Sequence, residues 1–90
     1  MRSLTVRIVV KVHLKMFAIL RQRSGVSQTD LELPEGATVA TAMAEVGRRF
    51  SPIVPLLSRT LGAVNRDYAD AGTRLKDGDE LALIPPVSGG

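Results

Sequence analysis

The residue types that carry most enzyme chemistry are few in this chain and are not spaced for it. The 90 residues include one histidine, His13, and no cysteine, which excludes disulfides, thiolate catalysis and cysteine-ligated metals. His13 occupies a polar position of an alternating segment, where a surface imidazole is expected and not a general base. Lys76–Glu80 (KDGDE) crowds three acids, but a calcium loop needs more ligands at wider spacing, so an Asp-Gly turn is expected. The sequence predicts no metal site and no internal active site.

The last residues offer a different kind of chemistry. The chain ends in LIPPVSGG, where two prolines precede two glycines. Pro85 and Pro86 limit the flexible length and so lower the entropy lost on docking, whereas glycine has no Cβ and tolerates close backbone approach. Fully extended, the four residues 87–90 reach about 14 Å. We therefore predict that the tail enters a narrow tunnel in another protein and presents the Gly90 carboxylate there; an incidental glycine-rich end is the alternative.

The charge balance is basic, and its pattern favours a solvated strand surface over a nucleic-acid site. The formal net charge is +3, and six basic residues precede the first acidic residue, Asp30. These cations alternate with apolar residues, and no RNA-stacking aromatic motif accompanies them. No apolar run is long enough to span a bilayer, and no signal peptide is recognisable. We expect a cytoplasmic protein without nucleic-acid or membrane partners, with a basic nucleic-acid-binding module as the competing interpretation.

Apolar residues at every second position predict a half-buried first strand. The pattern is longer than natural strands usually are. We therefore place the core strand at Lys11–Ala18. Residues 1–10 form an N-terminal extension that lengthens the strand, breaks from it or is mobile. The alternating residues are Leu4, Val6, Ile8, Val10, Val12, Leu14 and Met16.

The middle of the chain predicts a hairpin and then one main helix. LRQRSG is typical of a short helical turn that Gly25 ends, and QTDLELP predicts a second strand antiparallel to the first. Thr38 is a suitable N-cap residue. Ser51-Pro52 is expected to stop the helix. The helix stripe is spaced four, three and four residues apart: Val39, Met43, Val46 and Phe50.

The remainder predicts two more strands and completes the fold class. Residues 53–60 are expected to be irregular, LGAVN a short strand, RDYADAGTRLKDGDE a loop, and ELALIP the last strand. A helix between the hairpin and the later strands lets the last strand lie parallel to the first in the middle of the sheet. We predict an α+β domain of β-grasp (ubiquitin-like) type over residues 11–86, with a mixed sheet and one main helix packed on one face, followed by a flexible Gly-Gly tail at 87–90.

Four stretches together resemble one known family. They are VHLKMFAILRQRSG, LELPEGATVATAMAEV, GAVNRDY and LKDGDELALIPPVSGG, and they cover nearly everything from Val12 to Gly90. The chain resembles the MoaD/ThiS-type sulfur carriers, and within them the molybdopterin-synthase small-subunit branch. The double proline favours this branch over thiamin-type carriers, which usually lack it.

The resemblance implies a mechanism in which this chain is a co-substrate and not an enzyme on its own. A MoeB-type, ubiquitin-activating-like adenylyltransferase uses ATP to adenylate the Gly90 carboxylate, and sulfur transfer then gives a thiocarboxylate. The tail enters a MoaE-type large synthase subunit, which supplies the catalytic side chains, and its sulfur goes to cyclic pyranopterin monophosphate. No cofactor is bound permanently. The residues implied in tail insertion are Pro85, Pro86, Val87, Ser88 and Gly89.

The resemblance also implies a partner surface near the tail. Phe17, Tyr68 and Ile84 fall at apolar contact positions of the family, and Arg21 falls at a basic position that meets an acidic partner. Phe17 could equally be a core residue, and Tyr68 is expected in a polar loop. A ubiquitin-like modifier joined through Gly90 to target lysines, or a thiamin-type carrier, would use the same Gly-Gly end.

Overall fold

The computed structural model describes residues 9–85, which form five strands, three short α-helices and one 3₁₀ turn. Most of the predicted N-terminal extension and the tail beyond Pro85 lie outside the described residues. The elements in chain order are β1 (Val9–Met16), α1 (Ala18–Ser24), β2 (Gln28–Pro34), α2 (Val39–Arg49), a 3₁₀ turn (Ser51–Ile53), α3 (Val54–Leu57), β3 (Leu61–Val64), β4 (Asp67–Ala69) and β5 (Glu80–Ile84).

The strands form one mixed sheet in the order β2-β1-β5-β3-β4. β1 pairs antiparallel with β2 and parallel with β5, while β3 pairs antiparallel with both β5 and β4. The parallel pair at the centre is possible because α2 carries the chain across the sheet between β2 and β3. The predicted α+β arrangement, with the last strand beside the first, is confirmed.

The core lies between one face of the sheet and α2. The alternation of β1 is realised, because Val12, Leu14 and Met16 are buried while the polar residues between them face the other side. From α2 the stripe residues Val39 and Val46 are fully buried. Partial burial is observed for Met43 and Phe50. The remaining residues of this core are Val10, Leu20, Leu31, Leu33, Ala37, Ala42, Ile53, Leu75, Leu81 and Leu83.

The ends of both longer helices follow the predicted chemistry. Gly25 ends α1 in the left-handed region at φ 78, and its N–H donates to the Arg21 carbonyl. At the start of α2, the Thr41 N–H donates to Thr38 Oγ1 at 3.3 Å, and the Thr38 N–H donates to Thr41 Oγ1 at 3.2 Å. This reciprocal pair satisfies two backbone donors that would otherwise lack a partner.

The first strand is displaced from its predicted bounds. It runs from Val9 to Met16 and not from Lys11 to Ala18. It begins earlier because β2 extends far enough for Pro34 to lie opposite Val9. It ends earlier because Phe17 is the N-cap of α1, so Ala18 already belongs to the helix.

Residues 53–60, predicted to be irregular, contain helical structure. Ile53 closes a 3₁₀ turn and Val54–Leu57 forms α3. Pro52 and Pro55 are the second residues of these two turns, where a missing N–H costs no intrahelical hydrogen bond. Pro52, which follows the end of α2, therefore takes part in the next turn.

The loop predicted after β3 contains an additional strand. Asp67–Ala69 pairs with β3 through a two-residue hairpin turn, Asn65-Arg66, whose φ angles are 50 and 75. Positive φ at both central positions is the geometry that matches strand twist in such hairpins. The turn lacks the usual glycine, which is why the sequence pattern does not signal the strand.

Within residues 9–85, no helix is long and apolar enough to cross a membrane. The cytoplasmic location expected from the sequence stays a prediction.

Replacing Thr38 with alanine should lower the free energy of unfolding by about 1 kcal/mol, because the N-cap acceptor is lost. Thr38→Ser keeps the hydroxyl and should retain most of that stability. Urea unfolding of the two variants checks this, and an equal loss in both would show that the methyl group, and not the cap, is responsible.

Candidate functional site

The face of the sheet opposite α2 carries a row of apolar side chains at one end. Leu61 of β3 lies directly opposite Ile84 of β5. On the other side of β5, Met16 is the partner of Leu83, so the next residue, Phe17, lies in the same row as Ile84. Phe17 has extended backbone angles, which turn its side chain away from the buried Met16 and onto this open face.

A second row runs beside the first on the same face. Lys15, Ala82, Ala63 and Tyr68 are successive cross-strand partners in β1, β5, β3 and β4. The side chains of Ala82 and Ala63 are small, so they rise little above the sheet, and the large side chain of Tyr68 lies at the end of the row. Tyr68, expected in a polar loop, lies instead on the edge strand β4, where 73% of it is exposed.

We call Phe17, Leu61, Tyr68 and Ile84 the apolar patch. Phe17 is 45% exposed and Leu61 57% exposed, although both are large hydrophobic residues. Grouped exposed apolar side chains of this size mark an interaction surface more often than chance exposure does. Of the two interpretations left open for Phe17, the core position is therefore wrong. Ile84 is partly buried at the end of β5.

Leu61 is not among the residues that the sequence predicts for this surface. The sequence predicts a strand at Leu61, but the face that the side chain occupies depends on its register with β5, which spacing alone does not reveal. Leu61 and Ala63 alternate with Gly62 and Val64, and this alternation is the one feature of the sequence which indicates that Leu61 and Ala63 share a face. The structure brings together three of the predicted contact residues and adds this fourth.

Arg21, the remaining predicted contact residue, lies beside the patch and not within it. It is exposed on α1, and its N–H donates to the Phe17 carbonyl at 3.3 Å. A shallow groove next to the patch is lined by Lys15, Met16, Phe17, Arg21, Ser27 and Gln28. Its lining includes two cations and no acidic residue, but Lys15 pairs with Glu80 at 3.2 Å, so Arg21 is the cation that would favour an acidic group on a partner.

The chain leaves the sheet at the patch. Ile84 ends β5 and Pro85 follows it, and both are partly buried. The predicted tail residues Pro86, Val87, Ser88, Gly89 and Gly90 lie outside the described residues. The exit point of the chain and the apolar patch therefore occupy the same end of the open face.

The other end of the open face is polar. His13 Nδ1 donates to Asp30 Oδ1 at 3.0 Å, and His13 Nε2 lies 2.8 Å from Gln28 Oε1. The Asp30 carboxylate, followed by the Gln28 amide oxygen, raises the pKa of His13 above its ordinary value of 6.5. Lys15 and Glu80 form an ion pair at 3.2 Å. His13 is a surface residue that hydrogen-bonds to Asp30 and Gln28, as its polar position predicted.

Two acidic side chains of the KDGDE segment accept hydrogen bonds from backbone N–H groups. Asp77 Oδ1 accepts from the Lys11 N–H, and Asp79 Oδ2 accepts from the Lys76 N–H, both at 2.8 Å. Gly78 takes φ 90 in the turn, a conformation that favours glycine. No group of three metal-ligating side chains occurs in the part of the chain that the structure describes. The expected turn is confirmed.

Comparison with known proteins identifies the family. The ThiS family model matches residues 14–90. The chain belongs to the ThiS family. The molybdopterin synthase sulfur carrier subunit of Arabidopsis thaliana is 32% identical over 81 residues, which cover 90% of this chain and 84% of that protein. The resemblance drawn from the sequence is confirmed.

Two solved structures share the fold closely. A putative molybdopterin converting factor, subunit 1, from Pyrococcus furiosus superposes with a TM-score of 0.80 at 36% identity, covering 87% of this chain and 99% of that one. SAMP1 from Haloferax volcanii gives a TM-score of 0.80 at 27% identity, covering 89% and 99% of the two chains. The ubiquitin-like β-grasp fold expected from the order of elements is confirmed.

The raised pKa of His13 gives a pH dependence with a definite sign. In the unfolded chain the ordinary value of 6.5 applies, so the His13–Asp30 interaction stabilises the fold fully below that pH and is lost as the pH rises through the folded-state value. Because His13 is the one histidine of the chain, its imidazole signal in NMR is assigned without ambiguity. We expect a midpoint above 6.5 that falls in Asp30→Asn. An unchanged midpoint in Asp30→Asn would show that the Asp30 carboxylate is not what raises the pKa of His13.

Proposed function

We propose that this chain is the sulfur carrier of molybdopterin synthase, with the carboxyl group of Gly90 as its working group. The observation that carries the proposal is that β5 delivers the chain to the edge of the apolar patch, with a Gly-Gly end five residues beyond Pro85. Membership of the ThiS family and similarity to named sulfur carrier subunits support it.

The chemistry begins at the terminal carboxylate, which is a poor electrophile. One carboxylate oxygen attacks the α-phosphorus of ATP on a MoeB-type adenylyltransferase, pyrophosphate leaves, and an acyl-adenylate forms. Hydrosulfide then attacks the Gly90 carbonyl carbon, the bond from that carbon to the AMP oxygen breaks and AMP leaves, which gives the thiocarboxylate. ATP is therefore used by the activating enzyme, and this chain holds no resident cofactor.

The apolar patch and the tail have separate tasks in this proposal. The patch docks on a MoaE-type large subunit, where burying each large apolar side chain contributes about 1.5–3 kcal/mol. The five residues beyond Pro85 span at most about 18 Å, which limits how deep the acceptor can lie. Gly89 and Gly90 have no Cβ, so they fit a narrow channel.

Within the synthase, the thiocarboxylate sulfur is transferred to cyclic pyranopterin monophosphate. The catalytic side chains for that transfer belong to the large subunit, so this chain acts as a tethered co-substrate and not as an enzyme on its own. Arg21, in the groove beside the patch, would meet an acidic group of the partner and set the docking register more than the affinity.

A ubiquitin-like modifier is the second candidate, favoured by the similarity to the small archaeal modifier protein SAMP1 of Haloferax volcanii. Conjugation would begin with the same adenylation, but a lysine amine would then attack the carbonyl. Detection of Gly90 in isopeptide linkage to cellular proteins would support this candidate. A thiamin-type carrier would use the same end and is distinguished by its sulfur acceptor.

The chemistry of Gly90 can be tested directly by mass. Incubation with ATP, a MoeB-type enzyme and a sulfur source should raise the intact mass by the replacement of one oxygen with sulfur, mapped to Gly90. A variant lacking Gly89 and Gly90 should show no gain, while its thermal unfolding stays unchanged because the two residues lie beyond the core strands. Molybdopterin synthesis supported by the truncated chain would overturn the proposal.

The role of the patch can be tested by a single substitution. Leu61→Asp should weaken binding to a MoaE-type subunit by at least about tenfold, because an apolar contact is lost and a charge is buried. Val54→Asp is the matched control, since Val54 is 48% exposed on α3, which packs in the helical layer. Titration calorimetry measures both. If the two variants weakened binding equally, the apolar patch would not be part of the interface.

A further inference from the structure

The free edge of β2 is the longest edge that the described part of the sheet presents. β2 is the outermost strand on one side within residues 9–85 and has seven residues, whereas β4 on the other side has three. An open edge presents unpaired N–H and C=O groups on which another strand can form. The part of this edge at Asp30 and Glu32 belongs neither to the apolar patch nor to the groove beside it, so a binding role for it is independent of the proposed function.

The strand register shows which backbone groups point outward. Asp30 lies opposite His13, and Glu32 lies opposite Lys11. The His13 N–H donates to the Asp79 carbonyl and the Lys11 N–H to Asp77, so both residues of β1 turn their amides toward β5. In an antiparallel pair, residues opposite such positions turn their own amide and carbonyl away. The backbone groups of Asp30 and Glu32 therefore face the free edge.

One side chain from α2 occupies this edge. Arg49 Nη1 donates to the outward carbonyl of Asp30 at 3.2 Å, and its guanidinium lies 5.3 Å from the centre of the Phe50 ring. The neighbouring Arg48 is directed elsewhere, because its guanidinium donates two hydrogen bonds to Glu45 at 3.0 and 2.6 Å. Arg49 thus fills a backbone position that an added strand would take.

We propose that the β2 edge is a docking edge for an extended strand of a partner protein with lysine or arginine at alternate positions, and that Arg49 closes it in the free protein. A strand added to β2 places its side chains about 5 Å from those of β2 on the same face. On the open face those neighbours are the exposed Asp30 and Glu32. Alternating cations match them, and the backbone supplies the remaining hydrogen bonds.

The same charges disfavour a second copy as the occupant. Antiparallel pairing of two β2 strands would bring Asp30 and Glu32 of both copies together, and like charges placed opposite each other destabilise a sheet. A heterologous basic strand has no such cost.

The probe is a seven-residue peptide with lysine at every second position and threonine or valine between, added to the full chain. Binding should shift and protect the amides of Asp30 and Glu32 in NMR spectra. Arg49→Ala should bind the peptide about fivefold more tightly than Arg48→Ala, since only the first removes the competing hydrogen bond. Both variants lose one exposed cation from the last turn of α2, so their net charges match.

Three outcomes would overturn the proposal. Equal affinities in the two variants would show that Arg49 does not close the edge. Equal binding of a peptide with the same composition but its lysines in one block would show attraction by charge alone. Self-association of Arg49→Ala without peptide, measured by light scattering, would make a second copy the occupant.

Discussion

Parallel pairing of β1 with β5 is the constraint on which the rest of the structure depends. Leu14 lies opposite Leu81 and Met16 opposite Leu83, and all four are fully buried or nearly so. The pair joins the two ends of the described chain, so it requires α2 to carry the chain across the sheet between them. Once closed, it places the end of the first strand and the end of the last strand at the same edge. The apolar patch and the exit of the chain are consequences of this arrangement.

The division of the sheet into two faces depends on the same pairing. One helix covers one face, and the described part of this 90-residue chain has no second helix of comparable length for the other. The open face is therefore available for binding, and it is graded: apolar beside the exit of β5, polar around His13 and Asp30. A carrier whose reactive group lies beyond its folded domain needs a docking surface near that group and not a cavity of its own.

Periodicity and turn residues are sufficient for the parts of the fold that local chemistry decides. The alternation of β1, the Thr38 cap and the Gly25 end can be predicted from the sequence because each depends on neighbouring residues. The displaced end of β1 cannot, because whether Phe17 continues a strand or starts a helix depends on its tertiary surroundings. β4 is not predicted, because Asn65 and Arg66 form its turn without glycine. α3 is not predicted, because prolines usually end helices, whereas here Pro52 and Pro55 lie in the first turns of helical segments.

The residues of the candidate site also differ in how far the sequence predicts them. Phe17, Tyr68 and Ile84 can be named through resemblance to a family, whereas Leu61 requires the register of β3 against β5. Gly90 is inferred by the opposite route, because no side chain in the sequence is spaced for catalysis. Its proposed role depends on chemistry with ATP and sulfur that would be supplied by partner proteins.

Register couples the docking surface to the reach of the tail. A slip of β5 by one residue would turn Leu81 and Leu83 to the open face and Ala82 and Ile84 to the core, because side chains alternate along a strand. It would also move the exit of the chain by about 3.3 Å, which is about a fifth of the length that five residues can span. The buried leucines that stabilise the sheet therefore also fix the point at which the described chain leaves the sheet. Under the proposed function, a substitution that loosened this register would impair docking and sulfur delivery together, whereas one confined to the apolar patch would impair docking alone.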